Sequence, residues 1–221
     1  MILAAGRGER MRPLTDSLPK PLLEVRGKPL IVRHIERLSN AGFHDIVVNV
    51  AHLGHMIMER LGDGKTYGVN IAYSQEEVAL ETAGGIANAL DLLGNAPFAV
   101  VNSDIYCNFD YSALIPKSSE MPDILAHLVL VDNPAHHPEG DFFFENGKLA
   151  PSGKEKLTYS GIGLYHPDLF GGIEPGKPAK LAPLLRHAIS ERRVSGTFHR
   201  GIWIDVGTPE RLSELNGRIG K

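Results

Sequence analysis

The chain has 221 residues, with 23 Lys plus Arg against 26 Asp plus Glu and a formal net charge of −3. That length gives one α/β domain room for a full core, and the lack of a basic excess argues against a nucleic-acid partner. The single cysteine, Cys107, rules out an internal disulfide, no apolar run approaches the ~18 residues of a membrane span, and Met1–Ala5 is too short for a signal h-region, so a soluble cytoplasmic protein is expected. In chain order, apolar and β-branched runs predict strands at Ile2–Ala4, Ile46–Val50, Asn70–Ser74, Phe98–Val101, Ile124–Val131, Asp141–Glu145, Tyr159–Tyr165 and Val194–His199. Helices are predicted between them. Leu30–Leu38 follows Pro29, a good first helical residue. Thr82–Leu93 puts Ile86, Ala89, Leu90 and Leu93 on one face, and Leu181–Ile189 does the same with Leu181, Leu184, Leu185, Ala188 and Ile189. The last helix opens at Thr208-Pro209, a hydroxyl cap followed by proline. This alternation predicts a Rossmann-like α/β fold with a mixed, mainly parallel sheet and helices on both faces. Asn146-Gly147 signals a hairpin, which places antiparallel additions in the second half. No repeat or linker interrupts the chain, so residues 1–221 read as one domain with lobes at about 1–110 and 111–221.

The most informative stretch is Leu3-Ala4-Ala5-Gly6-Arg7-Gly8-Glu9-Arg10-Met11-Arg12-Pro13-Leu14-Thr15, followed by Pro19-Lys20-Pro21-Leu22. Gly6-x-Gly8 after a strand looks like the start of a dinucleotide fingerprint, but Met11 stands where the third glycine belongs and Pro13 interrupts the helix. No Gly-Lys-Ser/Thr follows, so it is not a Walker A loop. What remains is a glycine loop whose amides can approach a phosphate, with Arg10 and Lys20 on a proline-stiffened arm. Read alone, such a loop is a structural turn with solvated cations.

With those residues in this order, the chain resembles the sugar-1-phosphate nucleotidylyltransferases, which carry Gly-x-Gly-x-Arg-Met-x-Pro-Leu-Thr and then Pro-Lys-Pro-Leu. Leu80-Glu81-Thr82-Ala83-Gly84-Gly85-Ile86, Val101-Asn102-Ser103-Asp104 and Trp203-x-Asp205-Val206-Gly207-Thr208 match three further family segments, although Ser103 replaces the usual glycine. Leu130–Pro134, Gly140–Phe142, Leu157–Ile162 and Lys180–Arg186 are most similar to the uridylyltransferase branch acting on N-acetylmuramic acid α-1-phosphate in cell-wall recycling. The resemblance implies UTP and a sugar 1-phosphate as partners, Mg²⁺ as cofactor, and a monomer or small homo-oligomer touching neither nucleic acid nor membrane. Relatives using GTP, dTTP or CTP with mannose or glucose 1-phosphate are the alternative within the family. A non-catalytic nucleotide-sugar sensor on the same fold is the alternative of another class.

The implied reaction needs no general base, because a phosphate monoester ionises for the second time near pKa ~6. It needs cations and a metal to bring two polyanions together. By resemblance Arg10 meets the departing phosphates, Lys20 the transferring one, and Asp104 and Asp205 hold Mg²⁺; singly, each aspartate also reads as a cap or turn residue. The nucleotide is expected at Leu3, Ala4, Ala5, Gly6, Arg7, Gly8, Gln75, Gly84 and Asn102. Gln75 also reads as a solvated loop residue, and Gly84 as a close-packing one. The sugar is expected at Gly140, Asp141, Glu155 and Lys180. Lys180 comes before Arg186 and Arg200 as partner for a muramate carboxylate. Glu155 stands where relatives have Glu-Lys-Pro, but without the proline. His136-His137 lacks metal-ligand spacing and reads as an exposed loop, and Cys107 reads as packing.

Overall fold

The computed structural model describes residues 1–119 and 123–218. Its strands are β1 (Ile2–Leu3), β2 (Glu24–Val25), β3 (Lys28–Pro29), β4 (Asp45–Val50), β5 (Asn70–Gln75), β6 (Phe98–Asn102), β7 (Ile105–Cys107), β8 (Ala126–Val131), β9 (Phe142–Glu145), β10 (Lys148–Ala150), β11 (Lys156–Tyr165), β12 (Val194–Phe198) and β13 (Trp203–Asp205). Helices are α1 (Leu30–Asn40), α2 (Gly54–Leu61), α3 (Glu81–Asn88), α4 (Leu90–Leu93), α5 (Ile115–Ser118), α6 (Leu181–Ser190) and α7 (Pro209–Arg218). One nine-stranded sheet runs in the order β5-β4-β1-β6-β11-β8-β12-β10-β9. Its first four strands are parallel. Antiparallel pairing starts where β11 lies between β6 and β8, and the β9–β10 hairpin extends the far edge. That hairpin turns at Asn146 and Gly147, both at positive φ, as its Asn-Gly sequence predicts.

Two cores cover the two sheet faces, and strand alternation sorts residues between them. Ile46, Val48 and Val50 of β4, with Ala99 and Val101 of β6, pack under α1 and α2. Val47, Phe98 and Val100 face the other way, against α3 and α6. A third, smaller core joins Met11, Leu23, Val25 and Leu30 to Val206, Leu212 and Leu215 of the C-terminal segment. No described helix is long and apolar enough to cross a membrane.

Two differences from the sequence expectations have local causes. The helix expected over Thr82–Leu93 is divided at Ala89, whose φ of −100° and ψ of 0° and N–H to Ile86 O tighten the chain into a turn. Strands β2, β3, β7 and β13 were not expected; at two or three residues each they are too short to show alternation, and tertiary pairing forms them.

Beneath β7, His34 of α1 is buried between Ile105 O (2.8 Å from Nε2) and the Tyr111 hydroxyl (2.9 Å from Nδ1). A carbonyl can only accept, so Nε2 carries the proton and Nδ1 accepts from Tyr111. Burial lowers its pKa to about 4, assisted by Arg37 and opposed by the Ile105 carbonyl and Asp104. Tyr111 and Cys107, the other titratable groups here, are both pushed up by burial and stay neutral. The fold thus favours neutral His34 over the unfolded chain, where His titrates near pH ~6.5. This contribution is complete above that pH and is lost as pH falls towards 4. His34→Gln, which keeps a donor but cannot titrate, is expected to flatten the decline of Tm between pH 6.5 and 4 relative to wild type. Parallel Tm–pH curves for the two proteins would exclude this role.

Candidate active site

The loop after β1 is anchored from below. Ala4 N–H donates to Asn49 Oδ1 at 2.8 Å, and Asn49 Nδ2 donates to Glu76 Oε1 at 2.7 Å. Glu76 Oε2 in turn accepts from Leu80 N–H at 3.0 Å. All three buried polar groups are therefore satisfied, as burial demands. Gly8 sits at φ +68°, where the Thr15 hydroxyl donates to its carbonyl at 2.8 Å. A Cβ there would lie 3.1 Å from Thr15 and 3.2 Å from Lys20, so glycine answers both the conformation and the close approach. Met11, fully buried in the third core, pins the arm and turns Arg10 outward. Arg10 makes no hydrogen bond or ion pair among the described residues.

Lys20 is only 8% exposed and its ammonium donates to Asp104 Oδ2 at 2.5 Å. Asp104 lies in the turn between β6 and β7. Because β7 pairs with β13 and Val206 N–H donates to Asp104 O, Asp205 ends up on the neighbouring strand. Arg211 of α7 donates to Asp205 Oδ2 at 2.5 Å, and His136 Nε2 lies 3.4 Å from the same oxygen. Each aspartate therefore gives one oxygen, Oδ2, to a cation. Among the described residues no cluster of three or more His, Cys, Asp or Glu forms a protein-only metal cage. Two hard carboxylates fit Mg²⁺, which takes few protein ligands and completes its shell with waters and other oxygen ligands.

Two cavities open at the carboxyl ends of the parallel strands, the usual ligand position in α/β sheets. The first, of about 470 Å³, is lined by Leu3, Ala5, Gly6, Gly8, Arg10 and Lys20 on one side and by Asn49, Glu76 and Ala79–Thr82 on the other. The second, of about 400 Å³, is lined by His136, His137, Asp141, Tyr159, Trp203 and Asp205. Arg10, Asn102 and Asp104 line both. A bulge in β11 makes this junction. The pairing of β11 with β8 shifts between Tyr159 and Ile162, and Gly161 takes φ +80°. A Cβ on Gly161 would come within 2.7 Å of Asn102 Nδ2. Trp203 Nε1 fastens β13 to the bulge by donating to Ser160 O at 2.8 Å.

Of the residues singled out from sequence, the structure brings Leu3, Ala5, Gly6, Gly8, Arg10, Lys20, Asn102, Asp104, Asp141 and Asp205 to these cavities. Others it does not. Ala4 supports the loop through Asn49, and Arg7 is exposed beside Glu9 at 3.6 Å. Gln75 points away to an exposed contact with Met58, and its neighbour Glu76 faces the cavity. Gly84 is a packing position: its N–H donates to Ala179 O, and a Cβ would lie 2.4 Å from Lys177 O. Gly140, at φ +59°, makes room for Asn133, which donates to Pro138 O and Lys156 O and braces the loop. Glu155 is exposed ahead of β11 and lines neither cavity. Lys180 is exposed at the start of α6, on a segment that Ala179 ties to Leu80 and Ala83 beside the first cavity, and it does not line the second cavity.

His136 and His137 lie in a solvent-accessible loop, as the sequence reading has it, and that loop borders the second cavity. Both line the second cavity, His137 with Nε2 3.1 Å from Asp141 Oδ1. Asp141 stands only four residues after His137, whereas Asp205 is brought beside His136 by the fold. Asp141 Oδ2 accepts from Tyr159 N–H at 2.8 Å. The buried Tyr159 hydroxyl pairs with Tyr165 at 2.8 Å, and burial keeps it neutral by raising its pKa.

Comparison with known proteins places this geometry. Residues 1–142 match the family described as nucleotidyl transferase. The whole chain is 56% identical, over 97% of that protein, to the N-acetylmuramate alpha-1-phosphate uridylyltransferase of Neisseria meningitidis serogroup B. It is 34% identical to the protein of the same name from Caulobacter vibrioides, over the whole chain and 96% of that protein. A mannose-1-phosphate guanyltransferase of Schizosaccharomyces pombe is 32% identical over 95% of this chain and 61% of that protein. Among solved structures, a Bacillus anthracis protein in complex with sucrose superposes with a TM-score of 0.87 at 22% identity, covering 98% of this chain and 92% of that one. HddC from Yersinia pseudotuberculosis, complexed with GMP-PN, gives 0.78 at 21%, covering 99% and 97%. The fold, the two adjoining cavities and these relatives agree: the chain belongs to the nucleotidyltransferase family and, within it, to the sugar-1-phosphate nucleotidyltransferases.

Proposed function

We propose that this protein transfers UMP from UTP to N-acetylmuramic acid α-1-phosphate, releasing pyrophosphate, as a cytoplasmic enzyme of peptidoglycan recycling. The observation that carries the reaction is the meeting of two cavities at Arg10, Asn102 and Asp104. The choice of uridine and muramate rests on the relative at 56% identity over the whole chain. In this reading the first cavity, mostly from residues 1–110, takes UTP, and the second, largely from residues 111–221, takes the sugar phosphate.

The nucleophile is an oxygen of the sugar phosphate, already a dianion at neutral pH because its second pKa is near ~6. It forms a bond to the α-phosphorus as the bond to the bridging oxygen breaks in line, and pyrophosphate leaves with the electron pair. No side chain has to take a proton. The protein supplies fixed positive charge where negative charge shifts. Lys20, buried and held by Asp104, presents a preorganised ammonium to the α-phosphate. Arg10, without a protein partner and lining both cavities, is available to the β- and γ-phosphates. Asp104 and Asp205 would hold Mg²⁺, which when bound neutralises phosphate charge. His137 and Asp141 offer a donor and an acceptor to sugar hydroxyls.

Asp104→Asn and Asp205→Asn are each expected to keep the wild-type circular dichroism spectrum and to lower turnover by on the order of 10²-fold or more, the usual loss for one preorganised electrostatic element. Near-wild-type turnover of both at saturating Mg²⁺ would remove the metal role. Lys20→Ala is expected to depress kcat by a larger factor than it raises KM for UTP, because its charge matters most as the α-phosphorus is attacked. A change confined to KM would reduce Lys20 to ground-state binding. Substrate choice is tested by pyrophosphate release over UTP, GTP, dTTP and CTP against N-acetylmuramic acid, N-acetylglucosamine, mannose and glucose 1-phosphates. The highest kcat/KM is expected for UTP with the muramate; a higher value for GTP with mannose 1-phosphate would overturn the assignment.

A further inference from the structure

Four carboxylates line the first cavity, and three have partners. Glu76 accepts from Asn49 and Leu80, Asp104 accepts from Lys20, and Glu9 lies 3.6 Å from Arg7. The fourth, Glu81, has no hydrogen-bond or ion-pair partner among the described residues. Its backbone is also unusual. Glu81 is held at φ +60°, a region that glycine enters freely and a residue with a side chain enters only at a cost. Five non-glycine residues of the described chain have positive φ: Arg26, Leu53, Glu81, Asn146 and Arg192. Of these, Glu81 alone lines either cavity.

An unpaired carboxylate opposes a polyphosphate, so in this cavity it must meet an uncharged part of the nucleotide. Position agrees with charge. Glu81 belongs to the wall of residues 76–82, which connects through Glu76 and Asn49 to Ala4, and the cations Arg10 and Lys20 stand on the separate arm after Gly8. A nucleoside offers a carboxylate only N–H and O–H donors: the imide N3–H of uracil and the ribose hydroxyls. We propose that Glu81 is a specificity-determining residue whose carboxylate accepts a hydrogen bond from such a donor, N3–H in the first place. Cytosine carries a lone pair at N3, so the same carboxylate repels it there. The strained backbone holds the acceptor at the cavity wall. This inference rests on the first cavity being the nucleotide site.

The test measures kcat/KM for UTP, CTP and dUTP at saturating N-acetylmuramic acid 1-phosphate, together with thermal melting, for wild type, Glu81→Gly and Glu81→Gln. Glycine relieves the positive φ, so Glu81→Gly is expected to melt no lower than wild type. Its kcat/KM for UTP is expected to fall about 10- to 100-fold, the scale of one hydrogen bond to a charged group. Its value for CTP should hold, so that the UTP-over-CTP preference shrinks by the same factor. Glu81→Gln, which retains a carbonyl acceptor, should lie between the two. If the donor is the ribose 2′-hydroxyl, the preference for UTP over dUTP shrinks instead. Unchanged preferences in Glu81→Gly, or equal losses on all three nucleotides, would overturn the proposal. Calorimetric binding of the three nucleotides reads the same preferences without turnover, so a wild type that binds but does not react still tests Glu81. A wild type that neither binds nor turns over any of them overturns the cavity reading along with it.

Discussion

Lys20 and Asp104 are 84 positions apart in sequence, and their contact at 2.5 Å is the constraint around which the site is built. Any enzyme joining two phosphate esters must place positive charge between mutually repelling groups, and that charge helps most when it does not have to move. Lys20 is held on the backbone side by Pro19 and Pro21, with Leu22 N–H donating to Pro19 O and Leu23 N–H to Lys20 O. Asp104 is held by the β7–β13 pairing and by Val206 N–H. Removing water from either charge alone is costly, so neither is comfortable in its place without the other. The pair therefore couples the arm after the glycine loop to the strand end that carries the acidic residues.

A second constraint acts through packing. The third core places Met11 against Val206 and Leu215, so the arm bearing Arg10 and the segment bearing Asp205 and Arg211 share one apolar anchor. Trp203 then ties that segment to the β11 bulge, and Gly161 leaves space for Asn102. Two short strands, β7 and β13, and a bulge thus bring residues from both halves of the chain to one junction. A continuous sheet spans both halves, so the cavities meet on rigid backbone.

What sequence could and could not reveal follows from the same physics. The main strands were legible as continuous apolar runs, because β4 and β6 divide their residues between two cores and are buried on both faces. Strands β2, β3, β7 and β13 were not, because two or three residues cannot display a period. The cationic arm and both aspartates were legible through the family motif. Glu76 was missed by one position: in β5 side chains alternate, so the buried Ser74 and Glu76 share a face and Gln75 takes the other. Strand parity counted inward from Ser74 carried that signal. His136 was missed for another reason, since Asp205 reaches it only through the fold, while the contact of His137 with Asp141 is a four-residue spacing already present in the chain.

Gly84 and Gly85 show how a glycine-rich segment shapes a site without contacting a ligand. A Cβ on Gly84 would collide with the backbone at Lys177, and one on Gly85 would lie 2.7 Å from Glu76 Oε1 and 2.9 Å from Asn49 Nδ2. Glycine at these positions lets α3 settle onto the segment before α6 on one side and onto the buried carboxylate on the other. That carboxylate holds Leu80 N–H and, through Asn49, the backbone of Ala4. The closeness of α3 therefore sets both the wall bearing Glu81 and the height of the loop that opens with Gly6. Two features that sequence presents as separate glycine motifs, at positions 6–8 and 84–85, are physically one construction, joined by three hydrogen bonds beneath the floor of the cavity.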